Sequence, residues 1–453
     1  MINKVKKKLN FLDKKIAKKI LILSLPIIFG NLLQLAYQLT DLFWIGRLGT
    51  DEIAGLSASM PILFMFISLG IGMSIGGLIL ISQEFGKKTK EKINYISSQM
   101  LFIMTSLGIL ISSIGYYLTP FIVNLNSSTA IVKQLAIEYT QISFLGMTFV
   151  YLVLYFKDLN SGIQEMFLPL KIVLLSVILN LIIDPLFIIY FNLGIKGAAY
   201  ATILTQSIAA LIGIIILLSK KYKIQVNIRD VKPNFNFIKK IFKIGTPTTI
   251  EVIAIALAEL ILFAIVSNFS TTIIAAFGIS IQIFNIVLFV SLGILIATSV
   301  LVGESTGLKQ KEKSVTIGNT SITFGVIVNI IIAIIVLIFA ESIINIFSDN
   351  TSVIETGATL IRILAFTFPL FGIQKTLVGL FQGSGNPQYA TNIAIISLWL
   401  VQIPLAYILS NHTWLEETGI WIAMVFSSFV GGIISFIVFK KEKWNRKSLV
   451  DNN

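Results

Sequence analysis

Stretches of about twenty predominantly apolar residues recur twelve times along this chain between polar breaks, and each is long enough to cross a bilayer core as a helix. They lie near 20–46, 53–82, 94–118, 131–156, 166–190 and 196–219. The second half adds 243–267, 273–303, 314–340, 356–381, 388–410 and 418–439. In lipid a helix satisfies every backbone donor and acceptor within its own segment, so the pattern predicts an all-α membrane protein. Of 453 residues, 55% are hydrophobic and 13% charged, against roughly 25% charged in soluble domains. A water-soluble fold of this length could not hide that much apolar surface. Cysteine is absent and His412 is the one histidine, which excludes disulfides, zinc ribbons, thiol catalysis and multi-histidine metal centres.

The distribution of basic residues orients the spans. Of the 35 Lys and Arg, 30 fall on one side of a twelve-span arrangement; Arg47, Lys133 and Lys196 fall on the other, and Arg362 and Lys375 lie within spans. The positive-inside rule then places both termini in the cytoplasm of a multi-pass cell-membrane protein. It also accounts for the net charge of +13 without nucleic acid. The Lys-rich start precedes a span too long for a signal-peptide core and reads as a cytoplasmic tail.

The two halves repeat each other at an offset near 221. Pro26 meets Pro247, Gly86 meets Gly307, and the loop Lys88-Thr89-Lys90-Glu91-Lys92 meets Lys309-Gln310-Lys311-Glu312-Lys313. Pro185 meets Pro404, and Gly197 and Ala201 meet Gly419 and Ala423. Six spans per half is an even number, so this is a parallel repeat about an axis along the membrane normal, one of the architectures of secondary transporters. The expected organisation is a basic N-terminal tail (1–19), an N-lobe of six spans (20–219) and a flexible cytoplasmic linker (220–242). A C-lobe of six spans (243–439) and a C-terminal tail (440–453) complete it.

Ionisable groups at the bilayer centre cost roughly 2.5–3.5 kcal/mol on insertion scales, so each calls for a reason. Asp41 lies six residues before Arg47, Asp184 six before Tyr190, and Thr202 six after Lys196. At 1.5 Å per residue all three sit about 9 Å inside their outer markers. Asn180 is one turn from Asp184 on the same face, as Tyr37 is from Asp41. This set offers hard oxygen ligands for an alkali cation such as Na⁺. The carboxylates could instead share a proton, or each could glue neighbouring helices. Pro185 removes a backbone donor beside Asp184 and frees the carbonyl of Leu181. The second-half equivalents of Asp41, Asn180, Asp184 and Thr202 are Leu262, Trp399, Ile403 and Met424, so the polar set belongs to one lobe.

Other features leave more than one reading open. Pro26 should kink the first span, as a static bend or a moving hinge. Glu251 and Glu259 could line a substrate cavity, or Glu259 could pair with Arg362 or Lys375. Glu138, near Lys133, reads as an outer-rim ion pair, and the Gly72/Gly76 pair as close helix packing.

These residues resemble the multidrug and toxic compound extrusion (MATE) family, particularly its archaeal and DinF-like branch. The resemblance spans nearly the whole chain. It is strongest in Leu25-Pro26 through Asp41-Leu42-Phe43-Trp44-Ile45-Gly46-Arg47-Leu48-Gly49, in Asn180-Leu181-Ile182-Ile183-Asp184-Pro185, and in Gly197-Ala198-Ala199-Tyr200-Ala201-Thr202. It implies two pseudo-symmetric six-helix bundles in a V, exporting organic, often cationic compounds against an inward cation flow. It further implies a first-lobe cation site at Asp41, Asn180, Asp184 and Thr202, supporting hydrogen bonds from Tyr37 and Tyr139, and a bending point at Pro26. Span 10 has no inward acid, since Glu355 only opens it, which departs from the NorM-like branch and leaves Glu251 and Glu259 without an assigned role.

The function expected is therefore antiport by a monomer: Na⁺ or H⁺ as the coupling ion, no cofactor, and small organic molecules as substrates. The alternative is a flippase for lipid-linked oligosaccharides, whose pyrophosphate would need several cavity-facing Arg or Lys. Enzyme motifs such as H-E-x-x-H and G-x-x-x-x-G-K are missing, so no enzymatic activity is expected.

Overall fold

The computed structural model describes residues 12–125 and 129–445. The lysines at 4, 6, 7 and 8 and residues 446–453 of the expected tails lie outside them. Among the described residues there are helices and no strands. The first half comprises α1 (Lys14–Gly46), α2 (Thr50–Lys87), α3 (Lys90–Asn124), α4 (Ala130–Leu145), α5 (Met147–Gly162), α6 (Phe167–Pro185) and α7 (Ile195–Leu218). The second comprises α8 (Phe235–Val266), α9 (Thr271–Gly307), α10 (Lys311–Asn345), α11 (Thr351–Ala365), α12 (Phe368–Gly383), α13 (Gln388–Ala394), α14 (Ile403–Asn411) and α15 (Glu416–Lys440).

Ten passes are continuous, and the other two are bent pairs, α4–α5 by 52° and α11–α12 by 53°. This is the expected twelve-span fold, with the fourth and tenth spans bent. The breaks fall at Gly146 and Thr367, 221 residues apart. Pro369 near the start of α12 explains the second, because it removes a backbone donor and clashes with the preceding turn. Side-chain caps from Thr129, Ser270 and Asn350 start α4, α9 and α11, each satisfying a free amide of the first turn.

The repeat is written into the backbone as well. Left-handed residues recur in pairs: Lys88 and Lys309 (φ 58° each), Gln164 and Gly385, Gly194 and Glu416. A π-helical turn follows Pro185 at Leu186–Tyr190, and another precedes Pro404 at Ile395–Gln402.

The helices form two compact units, one of residues 29–249 and the other of the described residues up to 28 together with those from 250 onward. This differs from lobes meeting in the linker. The division falls inside α1 and α8, two residues beyond Pro26 and Pro247. Packing explains it. The first part of α1 lies against α9, where a Cβ on Gly293 would stand 3.0 Å from the Ser24 carbonyl oxygen. Asp13 N donates to Thr320 Oγ1 at 3.2 Å, and Lys19 pairs with Glu304 at 3.7 Å. The first part of α8 lies against α2, where a Cβ on Gly72 would stand 2.7 Å from the Gly245 carbonyl oxygen. Gly72 and Gly293 are themselves 221 apart, so one crossing is built twice.

The segment expected to be a flexible linker is fastened to α3. Gln99 Nε2 donates to the carbonyls of Asp230 (2.6 Å) and Lys232 (2.8 Å). Asn227 N donates to Ser98 Oγ at 3.0 Å, and Gln225 N to Asn94 Oδ1 at 2.9 Å. Polar residues on one face of α3 thus serve as partners for the linker backbone.

Within residues 29–249, α5 is fixed by two tyrosines. Tyr151 donates to the Phe66 carbonyl and Tyr155 to that of Ser97, at 2.5 and 2.9 Å. In the other unit the core gathers around Trp421, stacked on Phe277 at 5.5 Å.

Candidate functional site

Three helices of the first unit supply the polar cluster. Asp41 comes from α1 one turn before its end, Asn180 and Asp184 from α6, and Thr202 from the second turn of α7. Asn180 and Asp184 are wholly buried and Asp41 nearly so. One side chain ties them together: Asn180 Nδ2 donates to Asp41 Oδ1 at 3.2 Å and to Asp184 Oδ1 at 2.7 Å. Thr202 Oγ1 donates to Asp41 Oδ2 at 3.3 Å. The i, i+4 spacing of Asn180 and Asp184 puts both on one face of α6, and the small residues Gly197, Ala198 and Ala201 of α7 are buried beside it.

Around this cluster Tyr37 hydrogen-bonds Thr205 Oγ1 at 2.6 Å, and Thr205 donates on to the Thr202 carbonyl at 3.0 Å. The Tyr37 hydroxyl therefore donates to Thr205, and the chain ends on the residue that holds Asp41. Tyr139, buried on α4, lies within electrostatic reach of Tyr37 and both aspartates but makes no hydrogen bond with them, unlike the supporting bond expected of it. Thr205 was not singled out from the sequence. The available signal was its position three residues after Thr202 on the same face.

The cluster is unbalanced. The two carboxyls adjoin each other, and no Lys or Arg among the described residues acts on either. Asn180 Oδ1 and Asp184 Oδ2 are buried without a hydrogen-bond donor. A buried acceptor left bare costs about 1–3 kcal/mol, and more when charged. The arrangement is thus short of positive charge and rich in inward oxygens.

Comparison with known proteins sets this geometry in context. The family model MatE matches residues 26–186 and 247–408, two blocks that open on the equivalent prolines Pro26 and Pro247. The chain belongs to the MatE family. The chain is 25% identical over 432 residues to the probable multidrug resistance protein YoeA of Bacillus subtilis, covering 94% of this chain and 93% of that protein. It is 27% identical over 436 residues to the multidrug export protein MepA of Staphylococcus haemolyticus, covering 95% and 94%. In fold it matches a MOP superfamily transporter from Pyrococcus furiosus with a TM-score of 0.89 at 23% identity, over 96% of this chain and 97% of that one. MatE-family proteins are transporters, and this one is a multi-pass membrane protein.

In the second unit of this MatE protein, the equivalent positions are closed. Leu262 is buried in the core cluster and Met424 packs against it. Trp399, in the place of Asn180, donates Nε1 to the Ala254 carbonyl at 3.1 Å.

The remaining charged candidates separate clearly. Glu138 pairs with Lys196 at 3.2 Å rather than with Lys133. Arg362 pairs with Glu341 at 3.0 Å, both ends well exposed, so it is neither a lone intramembrane charge nor a partner of Glu259. Exposed pairs of this kind contribute about 0.2–1 kcal/mol. Arg362→Ala is accordingly expected to shift the thermal midpoint in detergent by no more than a few degrees, and transport rates little. Glu251 is buried, Glu259 exposed, and Lys375 lies within electrostatic reach of both.

Proposed function

We propose that this MatE-family transporter is a cation-coupled antiporter that exports organic, cationic or amphipathic compounds by alternating access. The observation that carries the reading is the donorless pair of buried oxygens, Asn180 Oδ1 and Asp184 Oδ2, beside two adjoining carboxyls with no basic partner. A mobile cation supplies the charge such a set lacks. Two carboxylates with amide and hydroxyl oxygens suit a hard monovalent ion, while no group of three or more His, Cys, Asp or Glu exists among the described residues, as a tight divalent centre would need. Na⁺ would be held by Asp41, Asn180, Asp184 and Thr202, and H⁺ by the aspartates, with Tyr37, Thr205 and Tyr139 keeping the cluster in place.

Coupling requires the ion to favour one conformation over another. Asp41 on α1 and Asp184 on α6 meet only while the helices are held together, so cation binding biases α1. Pro26, two residues from the point where α1 leaves one compact unit for the other, is the natural bending point. The names of the relatives, multidrug resistance and multidrug export proteins, support organic substrates. The lipid-linked oligosaccharide reading is weakened because Arg362 is engaged by Glu341 at an exposed site.

The test uses proteoliposomes loaded with ethidium under a Na⁺ gradient or a pH gradient imposed separately. Dye movement driven by one gradient and not the other is expected, and names the ion. Movement indifferent to both overturns coupling.

A further inference from the structure

Four polar side chains of α8 and α12 form a second cluster, within the unit that contains residues 250 onward. Glu251 is 5% exposed. It lies beside the Gln382 side chain, and its Oε2 has no hydrogen-bond partner. Lys375 is half-buried, with Nζ 5.2 Å from the centroid of the Phe371 ring. Its charge acts on both Glu251 and Glu259, yet it closes an ion pair within 4.0 Å with neither. Glu259 is exposed, so the set runs from the interior of its unit to a surface. The positions 221 residues earlier hold Gly30, Gln38 and Leu154. None of the three charges is therefore inherited from the shared architecture.

Two carboxylates and one ammonium leave a single negative charge. An ammonium resting on an aromatic ring, short of contact with either acid, occupies the field of the pair without consuming its oxygens. The geometry points to a charge filter for the exported compound: Glu251 and Glu259 receive the cationic group of an organic substrate, and Lys375 confines the site to monocations by supplying the second positive charge itself. Lys375 is then a specificity-determining residue. This inference rests on the exporter reading but concerns a different part of the molecule from the Asp41 cluster.

A matched pair of dyes tests it. Ethidium and propidium share one phenanthridinium ring system, and propidium carries an additional quaternary ammonium. The wild-type protein is expected to favour ethidium. Lys375→Met keeps the side-chain length and the contact with Phe371 while removing the charge. At an effective dielectric near 20 and a separation of about 10 Å, one like charge fewer corresponds to roughly a tenfold gain for the extra ammonium. The ratio of propidium to ethidium KM is therefore expected to fall about tenfold in Lys375→Met, and to stay at the wild-type value in Lys375→Arg. A role confined to packing would change protein yield or kcat and leave that ratio alone. An unchanged ratio in Lys375→Met overturns the filter, and Lys375→Gln answers the same question if the Met variant does not fold. Equilibrium dye binding in detergent separates this inference from the exporter reading. Binding with the expected ratio change, without gradient-driven transport, supports the filter and removes the coupling; a wild type that binds neither dye removes the filter.

Discussion

Asp41→Asn is expected to abolish cation-driven export while leaving the protein folded. The fold survives because asparagine fits the bonds already present. Its Oδ1 still accepts from Asn180 Nδ2, and its Nδ2 donates to Thr202 Oγ1, since a hydroxyl accepts as readily as it donates. What disappears is the charge. Removing one partner from a buried charged set costs about 3–5 kcal/mol, so cation affinity should fall roughly a hundredfold or more. Thr202→Val, which removes a neutral ligand and one hydrogen bond, is expected to lose about tenfold, near 1.5 kcal/mol. Dye efflux from proteoliposomes under the driving gradient reads the effect, and the thermal midpoint in detergent checks folding. Full gradient-driven efflux by Asp41→Asn would make the aspartate a structural residue and remove the proposed ion site.

That Asp41, Asn180, Asp184 and Thr202 converge could be read from the chain because two rules act together. Distance from an outer marker sets depth at 1.5 Å per residue, and the helical period sets the face. The same rules do not say which neighbour an all-apolar face meets. Hence the exchange of the first parts of α1 and α8 between compact units was not legible, although Pro26 and Pro247 stood at the dividing points. The partner of Arg362 was hidden for a related reason: the sequence of its own span does not show that the neighbouring helix α10 brings Glu341 within 3.0 Å of it. The hold on the linker was hidden because Asn94, Ser98 and Gln99 look like a solvated face until the strand of backbone they bind is in view. Thr205 was hidden by its commonest role, since threonine in a helix often bonds a carbonyl of the preceding turn. It does so here while also accepting from Tyr37.

The two glycine crossings carry the second large expectation. At Gly72 a Cβ would press on α8 backbone, 2.7 Å from both the Gly245 oxygen and the Thr249 nitrogen, and would also collide with Thr249 Oγ1. Backbone cannot swing aside as a side chain can, so the helices must separate. Overpacking of this kind costs typically 1–3 kcal/mol for small additions, against a gain of about 0.5–1 kcal/mol from replacing a helical glycine by alanine. Gly72→Ala should therefore lower the thermal midpoint, and Gly72→Leu should prevent recovery of monodisperse protein. At Gly293 the nearest atom is Ile28 Cγ1 at 2.5 Å, with the Ser24 oxygen at 3.0 Å. A side chain absorbs most of that clash, so Gly293→Ala is expected to be milder. Gly278, with nothing within 4 Å of its Cβ position, supplies the control, and Gly278→Ala should match or exceed the wild type. Thermal unfolding of the four proteins in one detergent should rank Gly278→Ala at or above wild type, then Gly293→Ala, then Gly72→Ala. If Gly72→Ala melts with the wild type, α2 and α8 are not in contact there, and α8 need not divide at Thr249. The division of α1 near Pro26 would stand, since Gly293, Asp13 and Lys19 hold its first part independently.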